Sequence, residues 1–475
     1  MTRKLVTCLL LSCTVLSASC TMIPDYMRPD FAASDKWSDV PGYNLPPGDV
    51  KAADTSWEAF FQSPQLRQVI DVALQNNTDL RQAALNIEAA RATYRISRAD
   101  LLPSINANGS GTYVGLSDDQ MGGGSNEGGN DDSEETYQAN VGLLTYELDL
   151  FGRIRSNNRS ALNEYLATEQ AHAVLRNTLI AEVANAYLQL LADQKLLGLT
   201  EQTLEAQEKT HNLLQQSLEK GVGTAQDVAR ASTAVETARV NLHQYRRFVA
   251  QDQNALFLLM GVKQDNAALP LGTLDSIAIR GNLDAGMPSQ VLLNRPDVKQ
   301  AEYLLLARNA DIGAARAAFF PNITLTGTYG FASDGLSGLF SSGATNAWTF
   351  LPQITMPIFA GGRNRANLDL SEVRKEIAVV EYEQTVQIAF REVADELAAR
   401  ATLDEQLKAQ ERLVAAAQQV YDMSRARYDV GIDSFLSVLD SQRELYTAQQ
   451  NEIEIERQKL ANLVNLYKAL GGGAK

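Results

Sequence analysis

The chain has 475 residues, with 42 basic and 57 acidic side chains and a formal net charge of −15. That balance excludes nucleic acid as the main partner, because phosphate binding draws its affinity from clustered Lys and Arg. Hydrophobic residues at 45% and charged residues at 21% mark a folded chain, and 3 His and 3 Cys are too few for a metalloenzyme, a thiol enzyme or a disulfide scaffold.

All three cysteines, Cys8, Cys13 and Cys20, fall near the start. Arg3 and Lys4, the apolar run Leu5 to Leu16 and the small residues Ser17-Ala18-Ser19 read as a secretory signal over residues 1–19. The apolar run is too short to cross a bilayer as a helix, which needs about 20 residues. Cleavage before Cys20 makes it the mature N-terminal residue, where bacterial lipoproteins carry a covalent lipid. Ser17 stands at position −3, where Leu is usual. No later apolar run is long enough for a transmembrane helix.

An internal repeat organises the rest. A shift of 218 residues aligns Asp79 with Asp297, Arg98 with Arg316, Pro103 with Pro321 and Ile105 with Ile323. A shift of 210 then aligns Gly152-Arg153-x-Arg155-x-Asn157 with Gly362-Arg363-x-Arg365-x-Asn367, and Gly221 with Gly431. The copies span 61–261 and 291–471, preceded by a linker segment 20–60, joined by a linker 262–290 and followed by a tail 472–475.

Each copy opens with a helix, Leu80 to Leu101 or Val298 to Phe320, closed by Pro103 or Pro321. Two strands follow, expected at 104–116 and 137–150 in copy one and at 322–332 and 347–359 in copy two. Helices are then expected over 154–220 and 225–260, and over 364–430 and 435–470. The longer of each pair extends roughly 100 Å at 1.5 Å per residue, too long for a compact globule, so the body is elongated and coiled-coil-like. His172, His211 and His243 are spread along these helices with no counterparts in copy two, which leaves no metal site.

The strands alternate. Ile105, Ala107, Gly109, Gly111 and Tyr113 face away from Asn106, Asn108, Ser110 and Thr112, and Ile323 to Phe331 alternates with threonines. The second strand slips phase at Leu143-Leu144, which reads as a β-bulge. Pro352 and Pro357 in the fourth suit a bend or a strand end better than a regular ladder. Such alternation fits a transmembrane β-barrel, and a half-buried soluble sheet gives the same pattern. The stretch Asp118–Glu135, with seven acids, five glycines and no basic residue, belongs in water like an external barrel loop. Four strands cannot close a barrel, and open edges do not survive in lipid. A barrel of this chain therefore needs several copies in a cyclic ring.

With these features in place, the chain resembles the outer-membrane efflux factor family of the TolC/OprM type, and most of all its OprM-like lipoprotein channels. The resemblance rests on Cys20-Thr-Met-Ile-Pro-Asp-Tyr-Met-Arg-Pro29, Tyr94-Arg-Ile-Ser-Arg-Ala-Asp-Leu-Leu-Pro103, Glu147-Leu-Asp-Leu-Phe-Gly-Arg153, Ile312-Gly-Ala-Ala-Arg-Ala-Ala-Phe-Phe-Pro321 and Asn465-Leu-Tyr-Lys-Ala-Leu-Gly-Gly-Gly473. It implies an α+β membrane protein: a homotrimer whose twelve-stranded β-barrel, four strands per chain, lies in the outer membrane of a Gram-negative bacterium. A periplasmic α-helical barrel continues it. The implied function is a passive gated exit duct of a tripartite pump, fed by an inner-membrane RND-type pump through a periplasmic adaptor (membrane fusion protein) and exporting drugs and small toxic compounds.

The resemblance also assigns residues. The turns Gly221-Val222-Gly223-Thr224 and Gly431-Ile432-Asp433-Ser434 become the periplasmic tips that meet the adaptor. Tyr428, Leu436, Asp440 and Arg443 match the closed gate, with Leu436 as apolar constriction and Asp440 as charged ring. Cys20 carries the lipid that ties the chain to outer-membrane lipid, and no other cofactor is expected. No Gly-x4-Gly-Lys-Ser/Thr, His-Glu-x2-His or Cys-x2-Cys motif argues for an enzyme. A type I protein-secretion outlet and a non-channel periplasmic coiled-coil scaffold are the alternative readings.

Overall fold

A strand with period-two alternation presents one apolar and one polar face, and a helix with residues recurring at three and four presents a stripe; both patterns fold here. The structure, a computed structural model, describes residues 21–30, 37, 48, 50–115, 133–263, 269–270, 272–286, 288–341 and 345–473. The signal segment, Cys20 and Asp118–Asp132 lie outside them. In chain order come β1 (Val50–Lys51), α1 (Trp57–Phe60), α2 (Pro64–Asn76), α3 (Thr78–Ala99), β2 (Ile105–Gly115) and β3 (Ser133–Leu148). Then follow α4 (Arg153–Glu219), α5 (Ala225–Met260), β4 (Leu283–Asp284), α6 (Pro288–Asn294) and α7 (Pro296–Ala317). The last elements are β5 (Asn322–Ser333), β6 (Thr345–Thr355), α8 (Arg363–Asp429) and α9 (Phe435–Ala469). No described helix is long and apolar enough to cross a membrane.

The chain forms two compact units, each drawn from both sequence repeats. One takes residues from 1–28, 88–166 and 303–380; the other takes 29–87, 167–302 and 381–475. The first holds an antiparallel sheet of order β2-β3-β5-β6. Its register sets Ile105 against Leu143, Gly109 against Ala139, Tyr329 against Trp348 and Ile323 against Ile354, so apolar residues share one face. On that face Ile105, Tyr113, Val141, Tyr329, Trp348, Phe350 and Ile354 are each more than half exposed. In water such a surface is unfavourable at ~25 cal/mol per Å² of apolar area. Lipid removes that cost.

The phase slip in β3 is a bulge: the register shifts between Leu143 and Tyr146, and Thr326 donates its hydroxyl to the Leu144 carbonyl at 2.7 Å. Two differences from the sequence reading concern strand ends. β3 begins at Ser133, inside the acidic stretch, because Glu134 and Glu135 continue the ladder opposite Val114 and Tyr113. Pro352 also sits within β6, opposite Leu325, rather than at a bend. β6 is an edge of this sheet, the position where a missing N–H is tolerated. Pro357 lies past the strand end.

At the inner end of the sheet, Asp149 caps α4 by accepting from the Ile154 and Arg155 N–H groups, and Arg155 Nε returns to the same carboxylate at 3.0 Å. Arg153 binds Glu147 through Nε at 2.9 Å and a second, shorter contact. The Phe151 and Phe320 rings stack at 4.6 Å. This junction orients the helix that leaves the strand.

The second unit is built on an apolar core of α2, α4 and α9 with Phe60 and Phe61, where Phe60 stacks on Tyr467 at 4.0 Å. Tyr187, fully buried, satisfies its hydroxyl by donating to the Pro270 carbonyl at 2.6 Å and accepting from the Gly272 N–H. Beside the core, Arg295 donates to Asp297 at 2.7 Å, to Glu392 at 2.6 Å and to the Ala469 carbonyl at 2.8 Å. Its repeat counterpart Asn77 keeps only the carbonyl contact, donating to Leu259 at 2.9 Å, and caps α3 by accepting from the Asp79 and Leu80 N–H groups. Removing the guanidinium strands two carboxylates. Arg295→Ala is expected to destabilise the folded chain by about 2–4 kcal/mol in denaturant titration, with Arg295→Lys intermediate.

A second polar device joins α4 to α5. Asp193 is buried and accepts from Gln189 at 3.0 Å, and Asp252 Oδ2 beside it is buried without a hydrogen-bond donor. Burial and the neighbouring Asp193 carboxyl push Asp252 up to about 7. A carboxyl raised in the folded state holds its proton more tightly than the unfolded chain does, so folding takes up a proton between about pH 4 and pH 7. The stability it contributes is complete below that window and lost as pH rises through it. Thermal melts are expected to show a fall in midpoint from acid to mildly alkaline pH that Asp252→Asn flattens.

Candidate gate and helical tips

Each pair of long helices is joined by a glycine turn with the same backbone. Gly221 and Gly431 take φ of 75° and 76°, the left-handed region where a side chain costs roughly 1 kcal/mol. In the first turn the Val222 and Gly223 N–H groups return to the Ser217 carbonyl at 3.0 Å; in the second, Ile432 returns to Arg427 at 2.9 Å. Val222 and Ile432 are exposed at the apex. The turns then diverge in chemistry. Thr224 caps α5, accepting from the Asp227 N–H at 3.1 Å and donating to its carboxylate at 2.6 Å. Ser434 makes no side-chain cap; Asp433 instead takes Arg427 Nε at 2.7 Å and Nη2 at 3.1 Å. That guanidinium holds the Asp433 carboxyl below its ordinary value.

The four gate candidates fall in two adjoining places that share Leu439. Tyr428 belongs to an apolar cluster under the second turn, its ring 5.6 Å from Phe435, with Leu214, Ala231, Val438 and Leu439 around them. Burial, with Asp227 and Asp429 nearby, pushes the Tyr428 phenol up. Leu436, Asp440 and Arg443 come together in the wall of a cavity of about 470 Å³ between α4, α5 and α9. Among the described residues Asp440 and Arg443 form no ion pair, with each other or with any third group, although their i,i+3 spacing permits one. Leu436 is 41% exposed, a large apolar side chain left facing out near the turn.

The sequence reading missed the rest of this wall. Gln207 of α4 and Arg230 of α5 complete it, and Gln207 Oε1 is buried with no donor. Tyr446 shares a 2.7 Å hydrogen bond with Thr200, which ties α9 to α4 just above. Only the recurrence Leu436, Leu439, Asp440, Arg443, Thr447 and Gln450 at three and four residues signalled the α9 face; partners two hundred residues away leave no local mark. Of the histidines, His172 and His211 lie on α4 and His243 on α5. Burial and Arg176 push His172 down. No group of three or more metal-ligating side chains occurs among the described residues.

Known proteins match this architecture in order and in detail. The family described as outer membrane efflux protein matches residues 69–262 and 287–472, one segment per repeat. The antibiotic efflux pump outer membrane protein ArpC of Pseudomonas putida is 48% identical over 456 residues, 96% of this chain and 93% of that protein. The toluene efflux pump outer membrane protein TtgC of the same species is 47% identical over the same shares. Among solved structures, the open state of the Neisseria gonorrhoeae MtrE outer membrane channel superposes with a TM-score of 0.86 at 38% identity, covering 96% of this chain and 99% of that one. A two-faced sheet with bare edges, paired long helices and relatives this near over nearly the whole length have one reading: the chain is an outer-membrane channel of the outer membrane efflux protein family.

Proposed function

We propose that this channel is the exit duct of a tripartite pump, working as a homotrimer in which three sheets close one barrel in the outer membrane. An inner-membrane pump of the RND type supplies the energy, and a periplasmic adaptor docks on the two glycine tips. The observation that carries this reading is the sheet itself: one apolar face, one polar face and two edges without partners. Relatives named for antibiotic and toluene efflux support small apolar and amphiphilic compounds as the cargo. Cys20, as the mature N-terminus, carries the lipid anchor.

The gate is the narrow end near the second tip. Leu436 supplies an apolar constriction, and three copies of Asp440 form a carboxylate ring that slows passive leak and favours cations. Tyr428 and Arg443 hold neighbouring helices closed, Arg443 by pairing outside its own chain, since it has no ion pair among the described residues. Asp440→Ala and Leu436→Ala are expected to raise single-channel conductance and sensitivity to large antibiotics severalfold; unchanged leak in both removes the assignment.

The function is tested in cells that lack only their own outer-membrane channel. Expression of this chain is expected to lower accumulation of a fluorescent pump substrate several-fold, and collapse of the proton gradient to abolish the effect. Unchanged accumulation with correctly assembled outer-membrane trimers counts against small-molecule efflux through that pump.

A further inference from the structure

The repeat makes one seam of the barrel readable from another. Within the chain, β3 of the first copy pairs with β5 of the second. In a closed ring, β6 of the second copy must pair with β2 of the first copy in the partner subunit, and that seam relates the same two repeat positions. The internal seam is therefore a template for the external one.

The correspondence of strands follows from the ladders. The pair Ile105–Leu143 occupies the place of Ile323–Ile354, so Ile105 maps onto Ile323 and Leu143 onto Ile354. Beyond the bulge, Gly152 maps onto Gly362, and by the same offset Tyr146 maps onto Met356. Copy one thus has one residue more between these points, and that residue is the bulge; β6 has none opposite β5. Transferring the internal seam turns Leu143–Gly327, before the bulge, into Ile354 opposite Gly109. Tyr146–Leu325, after it, becomes Met356 opposite Ala107. The two steps are independent, and they give one uninterrupted register.

The side chains agree with it. On the apolar face Trp348 falls opposite Gly115, Phe350 opposite Tyr113, Pro352 opposite Gly111 and Ile354 opposite Gly109, so three of these four large groups of β6 meet glycines of β2. On the polar face Gln353 meets Ser110 and Thr355 meets Asn108. A slip of one residue in either direction sets Pro352 and Ile354 against polar side chains of β2. The charges below the strands agree as well. Arg363 and Asp100, which form no ion pair among the described residues, correspond to Arg153 and Ala318, and these line one cavity of about 400 Å³.

We propose that β6 of each chain pairs antiparallel with β2 of the next copy in this single bulge-free register, centred on Phe350 opposite Tyr113 and Thr355 opposite Asn108. The inference rests on the closed-ring reading above and adds the address by which copies recognise one another. Opposed residues on antiparallel strands bring Cβ atoms about 4.5–5.5 Å apart, within oxidative reach when the pair is not hydrogen-bonded. The two named pairs have opposite hydrogen-bonding parity, so one of them meets that condition.

The test is disulfide capture in outer-membrane preparations of the full chain. Phe350→Cys with Tyr113→Cys, and Thr355→Cys with Asn108→Cys, are compared with the off-register combinations Phe350→Cys with Gly111→Cys and Thr355→Cys with Asn106→Cys. Single-cysteine chains serve as controls for Cys20. The expected result is covalent trimer on denaturing gels from at least one in-register pair, at tenfold or more the yield of either off-register pair. Higher yield from an off-register pair, in protein whose detergent-solubilised mass is trimeric, overturns the register and leaves the ring standing. A monomeric mass for the unmodified protein overturns the ring and the register together. Should the Phe350 variants fail to assemble, Ile354→Cys with Gly109→Cys, of the same parity and register, takes their place beside the Thr355 pair.

Discussion

An N–H or C=O without a partner in hydrocarbon costs several kcal/mol, and every other feature of the first unit answers to that constraint. A sheet of order β2-β3-β5-β6 leaves two edges bare. A soluble protein protects such edges with charge, bulges or a covering helix. β2 and β6 instead carry Ile105, Tyr113, Trp348, Phe350 and Ile354 exposed on one face, with no Lys or Arg in either strand. These are edges kept open for pairing. Their combination with a lipid-seeking face leaves ring closure as the structure in which both the backbone and the side chains are satisfied.

Duplication supplies the geometry, and divergence supplies the function. The Gly-Arg-x-Arg motif, the glycine turns and the proline ends of the short helices are retained in both copies, because they set backbone direction. The side chains around them differ. Asn77 and Arg295 both donate to a helix-end carbonyl, but only Arg295 also binds two carboxylates. Thr224 caps one tip helix where the other tip relies on the Arg427–Asp433 pair. The exposed Leu436, and Asp440 and Arg443, which form no ion pair among the described residues, all lie on α9, in copy two.

Much of this was legible in the chain because the constraint is local. Alternation fixes a strand face wherever it occurs, and one broken beat at Leu143-Leu144 was enough to mark the bulge. Glycine at 221 and 431 announced the turns because few other residues accept positive φ. What stayed hidden depends on distant partners. Pro352 reads as a breaker until β6 is known to be an edge, and Glu134 and Glu135 read as loop until Val114 and Tyr113 lie opposite. The Asp193–Asp252 pair and the Gln207 and Arg230 wall join helices whose packing no window of sequence displays. Family resemblance named Leu436, Asp440 and Arg443 on α9; it did not show that Tyr428 packs in an apolar cluster that shares Leu439 with their cavity wall.

The placement of the bulge itself follows from how the two seams form. β3 and β5 belong to one chain, so their partner is always present at high effective concentration and an irregular register is found again after each excursion. β6 and β2 of different copies meet by diffusion, and no loop sets their alignment. A seam of that kind needs a register written in side chains alone, and regular alternation of large against small residues provides it. A bulge there would offer two alignments of nearly equal energy. Confining the irregular strand to the interior of the chain leaves the edges that copies present to one another with a single best fit.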